Sequence, residues 1–327
     1  MTPMEYKDRY EAIVIPLKNG GEKSFKVNSY RLRSMPPVRY GGYKADKMNA
    51  FRSAFRKNGV NTRLRVDTVN GVTYLDPAQD QAEADFKKRT GLNVTMSVEF
   101  THGARLNSSA GGQLPFLGKS PNENEPPNDM LTMARYCFAG KGAPEHCQIV
   151  LQLAHHWGLA PDPQAYADEA LGLDCNGFVG NFLWHVKRKR PWTDLGIRFR
   201  DLGPDAKIDA YFPYSQRGFV ASWDDLDGDK TYIFGKVDGA GNIIKGGGGL
   251  ASAGHIMITQ PGFVRPPRTV GPITSRSIFV LESTPAQEWG LTENFYSLEG
   301  DIGNRIFRLR RGDSAALSIN VKIAEVR

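Results

Sequence analysis

The chain has no run approaching the roughly 18 consecutive apolar residues of a membrane-spanning helix. Its opening, Met1-Thr2-Pro3-Met4-Glu5-Tyr6-Lys7-Asp8, lacks the apolar core of a secretory signal. The expectation is a protein made in the cytoplasm without a Sec-type signal and with no membrane span. Cysteine is scarce: three in 327 residues, at 137, 147 and 175. That excludes a disulfide-stapled secreted scaffold. Cys137 and Cys147 either pair, leaving Cys175 as the odd free thiol, or stay reduced in or near a helical core, the reading preferred. Metal spacings are missing too. His146, Cys147, His155 and His156 do not form a zinc set, because adjacent histidines on a helix face different ways. Asp225, Asp227 and Asp229 alternate as calcium ligands do, but lysines at 230 and 236 stand where an EF-hand needs glycine and glutamate. Gly246–Gly249 has no following Lys-Ser/Thr, so it is not a phosphate loop. No metal and no cofactor is expected, and no internal repeat is found.

What remains is an ordinary globular composition, 40% hydrophobic and 24% charged, long enough for two domains. Lys plus Arg exceeds Asp plus Glu by 42 − 35 = 7, which favours anionic partners. The run Lys187-Arg188-Lys189-Arg190-Pro191 reads as a solvated helix end rather than a binding patch. No specific nucleic-acid partner follows from it. The oligomeric state is not encoded in any pattern of the chain.

The first part alternates strand and helix signals. Glu11–Leu17 and Ser24–Val27 read as two strands across Asn19-Gly20-Gly21. Residues 45–57 carry Met48, Phe51, Ala54 and Phe55 at helical spacing. Leu64–Val69 and Val72–Leu75 flank Asn70-Gly71, a hairpin signal. A short helix near Gln79–Arg89 and a strand over Leu92–Phe100 follow. Leu106–Asp129, rich in Asn, Ser, Gly and Pro, marks a linker. The expected division is therefore an N-terminal α+β domain at 1–125 and a second domain at 126–327. In the latter, helices over Met130–Ala139, Glu145–Trp157 and Cys175–Lys187 precede strands at Thr231–Val237, His255–Thr259, Ser277–Glu282, Arg305–Leu309 and Ala316–Ile323.

Within that second domain one segment carries chemistry. Gly172-Leu173-Asp174-Cys175-Asn176-Gly177-Phe178-Val179 places a cysteine on the first turn of an apolar helix, with Asp174 as N-cap and Asn176 beside it. There the unpaired N–H groups and the helix dipole favour thiolate over thiol. Ala253-Gly254-His255-Ile256-Met257-Ile258 offers a histidine at the head of a strand, where it serves as base. Ser277–Thr284 offers Glu282 where its apolar run ends, the candidate that orients the imidazole, with Ser283 in reserve.

These residues resemble the NlpC-type cell-wall cysteine peptidases and the related CHAP amidases. The likeness rests on Asp174–Val179, on Gly254–Ile258, and on Trp223-Asp224-Asp225-Leu226 running to Gly228-Asp229 between them. It covers about residues 130–298. The resemblance implies an α+β, papain-like fold in which a helix-borne cysteine packs on an antiparallel sheet. It also implies a cysteine hydrolase acting on an amide bond of peptidoglycan, Cys175, His255 and Glu282 as its catalytic residues, and an oxyanion held by the Cys175 N–H and a neighbouring donor. Delivery to the cell wall would follow lysis or a dedicated secretion system. Two other classes keep the same residues: a protease, deamidase or transglutaminase-like toxin acting on protein, and a catalytically silent binding component.

Overall fold

A computed structural model describes residues 1–17, 21–32, 42–57, 64–69, 72–77, 98–99, 107–108, 129–187, 207–213, 215–246, 254–270, 273–285, 290–311 and 318–326. Contacts divide the chain into two units, Asp8–Leu173 and Met1–Lys7 with Asp174–Arg327. The division lies between 173 and 174, not at 125/126. The helices after residue 129 pack with the N-terminal elements, as their aromatic residues dictate: the Phe51 ring lies 5.9 Å from Phe138 and 5.3 Å from Trp157. The expected linker at 106–129 and the helix near 79–89 lie almost wholly outside the described residues.

The unit of residues 8–173 takes up the end of α1 (Pro3–Glu11), then β1 (Ile13–Pro16) and β2 (Glu22–Phe25), an antiparallel pair with Ile13 opposite Phe25. It continues with α2 (Ala45–Lys57) and the hairpin β3 (Leu64–Val69) and β4 (Val72–Pro77), whose register places Val69 opposite Val72 across Asn70-Gly71. Two short strands, β5 (Val98–Glu99) and β6 (Asn107–Ser108), pair with each other. Three helices complete it: α3 (Asp129–Phe138), α4 (Pro144–His156) and α5 (Pro163–Ala170). Pro144 and Pro163 open their helices, where the missing N–H is no loss. Cys137 and Cys147 are reduced and buried; burial and the neighbouring Cys147 thiol push the Cys137 thiol up.

The other unit is built on α6 (Cys175–Lys187) and seven antiparallel strands: β7 (Tyr232–Lys236), β8 (Ile256–Ile258), β9 (Val264–Val270), β10 (Ile273–Thr284), β11 (Gly290–Asp301), β12 (Phe307–Arg310) and β13 (Ser318–Glu325). The order β7-β8-β10-β11-β12-β13 returns to β7, so six strands close into a barrel. The papain-like α+β layout is thereby overturned: this is a closed antiparallel barrel with few helices. The cause is β11, a strand not expected from sequence. It pairs with β10 along Arg276–Thr284 and with β12 on its other edge, which removes the free edges an open sheet would keep.

Alternate residues point inward and fill the barrel. Tyr232 and Phe234, Ile278 and Val280, Tyr296 and Leu298, Phe307 and Leu309, and Val321 and Ile323 form one buried cluster with Met257. Burying each such side chain stabilises the fold by about 1.5–3 kcal/mol. The inner row of β10 has a charged residue at each end. Arg276 donates to the Trp223 and Leu226 carbonyls and so pins the turn there; Glu282 lies at the opposite end. Outside the barrel, β9 adds to β10 alone among the described strands, and Pro266 and Pro267 blunt its outer edge. Among the described residues no helix is long and apolar enough to cross a membrane.

Candidate active site

Helix α6 starts where the sequence places a cap. The Asp174 carboxylate accepts from the Gly177 N–H, and Phe178 N–H closes the first helical bond on the Asp174 carbonyl. Cys175 is thus the first helical residue. The helix lies against β8 and β10, with Leu281 paired to Ile258 on their outer face. Residues 175–183 are all buried, and the Tyr6 ring packs on Phe178 and Phe182 at 6.1 and 5.8 Å. An apolar helix so enclosed holds its N-terminus in one place.

His255 immediately precedes β8, its carbonyl accepting from Lys236 N–H at 2.9 Å. The preceding glycine is required by crowding: a Cβ on Gly254 would lie 2.4 Å from the Ile244 carbonyl oxygen and 2.9 Å from the Gly246 nitrogen. Both are backbone atoms that cannot rotate away. Gly254→Ala is therefore expected to shift the chain at His255 and to slow Cys175 alkylation by iodoacetamide about tenfold or more. An unchanged rate, followed by mass spectrometry, would show that the position tolerates a side chain.

The structure brings Cys175, His255 and Glu282 together. His255 Nε2 hydrogen-bonds Glu282 Oε2, and Cys175 lies near enough to the same ring to act on its protonation. The His255 side chain is 19% exposed, whereas Cys175 is 7% and Glu282 1% exposed. The imidazole is partly exposed; the carboxylate is not. Burial alone would pull His255 down, but the hydrogen bond and charge of Cys175, then those of Glu282, push it up to about 10. For Glu282, burial acts upward and is outweighed by the His255 charge and hydrogen bond, by Tyr296 and by Arg311, so the carboxyl is held below its ordinary range. The ring is an imidazolium beside a carboxylate at neutral pH.

Of the remaining expected positions, Asn176 is buried on the first turn of α6. Ser283 is fully buried and adjacent in sequence to Glu282, which places it on the other face of β10, so the reserve role falls away. Asp225 and Asp227 accept from Ser222 N–H and Asp229 N–H, both at 2.9 Å, and so serve local turns. The glycine tract at 247–249 lies outside the described residues.

Three residues were not foreseen. Asn294 Nδ2 and the Tyr296 hydroxyl donate to Glu282 Oε1 at 2.7 and 2.9 Å, and Arg311 donates to Asn294 Oδ1. Their signal, the period of two at 294, 296 and 298, becomes visible only once β11 is known to be a strand. Comparison with protein-family models, with curated proteins and with solved structures gives no match.

Proposed function

We propose that the barrel unit is a thiol amidohydrolase or endopeptidase that cuts an amide bond of peptidoglycan. The observation that carries this reading is the hydrogen bond of His255 to the buried Glu282 carboxylate, with Cys175 acting on the same imidazole. The Cys175 sulfur attacks the amide carbon, and its proton is held on His255. The oxyanion forms at the start of α6, where the Cys175 N–H has no intrahelical acceptor. His255 then passes its proton to the leaving amine, and the thioester remains on sulfur. Neutral His255 takes a proton from water, which attacks the thioester, releasing the acid and regenerating the thiolate–imidazolium pair. Glu282 stabilises the imidazolium and fixes which ring nitrogen faces the sulfur.

The substrate class is supported by the resemblance of Asp174–Val179 and Gly254–Ile258 to cell-wall cysteine peptidases, and by a net charge of +7 that favours an anionic polymer. Incubation of the full chain with purified sacculi is expected to release soluble muropeptides carrying one new amine and one new carboxylate per cut. Intact sacculi after incubation with a protein whose Cys175 alkylates rapidly would overturn the substrate and move the same chemistry to a protein amide.

A further inference from the structure

The Glu282 carboxylate is gripped on both oxygens. Oε2 faces His255, while Oε1 accepts from Asn294 Nδ2 at 2.7 Å and from the Tyr296 hydroxyl at 2.9 Å. The amide of Asn294 has only one workable orientation. Its Oδ1 accepts from Arg311, a group with donors only, so its Nδ2 must face the carboxylate. The Arg311 guanidinium also lies over the Tyr296 ring, 6.0 Å from its centroid. Burial, then the charge and hydrogen bond of Glu282, push the Tyr296 phenol up, so it stays a donor across the working range.

Placement in the barrel explains why these groups meet. Asn294 and Tyr296 share the inner row of β11 with Leu298, and Arg311 follows β12 in the inward phase of Phe307 and Leu309. His255 comes from the head of β8 and Glu282 from the end of β10. β8, β10, β11 and the residue after β12 thus deliver a directional row, Arg311 to Asn294 to Glu282 to His255, with Cys175 beside it on helix α6.

We infer that Arg311, acting through Asn294 and together with Tyr296, is the anchor that holds Glu282 in one orientation and so sets the reactivity of Cys175. The inference rests on the proposed Cys175 chemistry. A carboxylate bonded only to His255 could turn about its last torsion and present either oxygen; the grip on Oε1 removes that freedom. The groups facing Glu282 are His255 from β8, Asn294 and Tyr296 from β11, and Arg311 after β12, with Cys175 beyond the imidazole. These three are positioning residues, since none touches the sulfur.

The test uses the full chain and iodoacetamide, whose reaction with Cys175 needs no substrate. Alkylation rates are measured from pH 4 to 11 for wild type, Arg311→Gln, Arg311→Lys and Tyr296→Phe, with a thermal midpoint for each. Arg311→Gln is expected to lower the rate at pH 7 about tenfold and to move the acid edge of the profile upward by about one pH unit. The sign follows from charge: without the guanidinium, Glu282 takes a proton at higher pH and no longer supports the imidazolium. Arg311→Lys should keep the acid edge and lose part of the plateau, because it retains the charge but not the planar fork. Tyr296→Phe, which removes one oxygen and keeps the ring, should lower the plateau a few-fold. Profiles superimposable on wild type, with only the melting point changed, would overturn the inference and leave the network a structural one. A wild-type rate no faster than that of free cysteine would instead sink the nucleophile itself, and the positioning role with it.

Discussion

Cys175→Ala is expected to abolish the proposed amide hydrolysis and to leave the barrel folded. The expected loss of muropeptide release is at least about 10³-fold, because removing the nucleophile leaves only binding and the oxyanion donors to accelerate attack by water. The fold survives because the barrel cluster does not include position 175 and the cap on Asp174 is untouched. A second readout is built into the site. Cys175 and Glu282 both raise the His255 pKa, so in the alanine variant the imidazole is expected to titrate below its value of about 10. Following the ring by NMR across pH 5–11 measures that fall directly. Retained hydrolysis in the variant would rule out the thiol mechanism. An unmoved His255 would rule out the contact between sulfur and ring.

Local elements were legible because local chemistry sets them. Asp174 capping an apolar run fixes the start of α6 at Cys175, and Asn70-Gly71 fixes the register of β3 and β4. Helix α2 spans Ala45–Lys57 as the spacing of Met48, Phe51 and Phe55 requires. The barrel was not legible, and one strand explains why. In Gly290–Asp301 the alternation is inverted at its centre: Asn294 turns inward to a carboxylate, while Phe295 is 43% exposed on the outer face. A polar residue inside and an aromatic outside cancel the pattern by which a half-buried strand is recognised. Missing β11 hid the closure of the sheet and the two residues that hold Glu282. The grouping of Cys175, His255 and Glu282 was drawn from the order of their segments. The Arg311–Asn294 link spans the antiparallel pair β11–β12, which exists only once Gly290–Asp301 is known to be a strand.

Removing the Glu282 side chain is expected to affect stability as strongly as chemistry. Glu282→Ala leaves the His255 Nε2–H, the Asn294 amide and the Tyr296 hydroxyl without their shared acceptor, and the part-buried His255 ring without its carboxylate. Breaking a buried pair on one side costs about 3–5 kcal/mol. Glu282→Gln is the more informative change, because it keeps the shape while removing the charge and turning one acceptor oxygen into an N–H donor. It should reduce hydrolysis about 10²- to 10⁴-fold, by loss of the imidazolium's partner. Its stability curve should change in a defined way. The His255 pKa is raised from 6.5 to about 10, so its contribution in wild type is complete below pH 6.5 and disappears as pH rises toward 10. Glu282 is held below 4.5, so its contribution is present above pH 4.5 and disappears as pH falls through the lowered value. The pair therefore stabilises the wild type most between about pH 4.5 and 6.5, with a slope on each side. In Glu282→Gln the acid slope from this residue vanishes. The alkaline slope becomes shallower and ends at lower pH, since His255 has lost one of the two groups that raise it. Urea midpoints measured from pH 3 to 10 separate the cases: parallel curves for wild type and variant would mean that no such ion pair supports the fold.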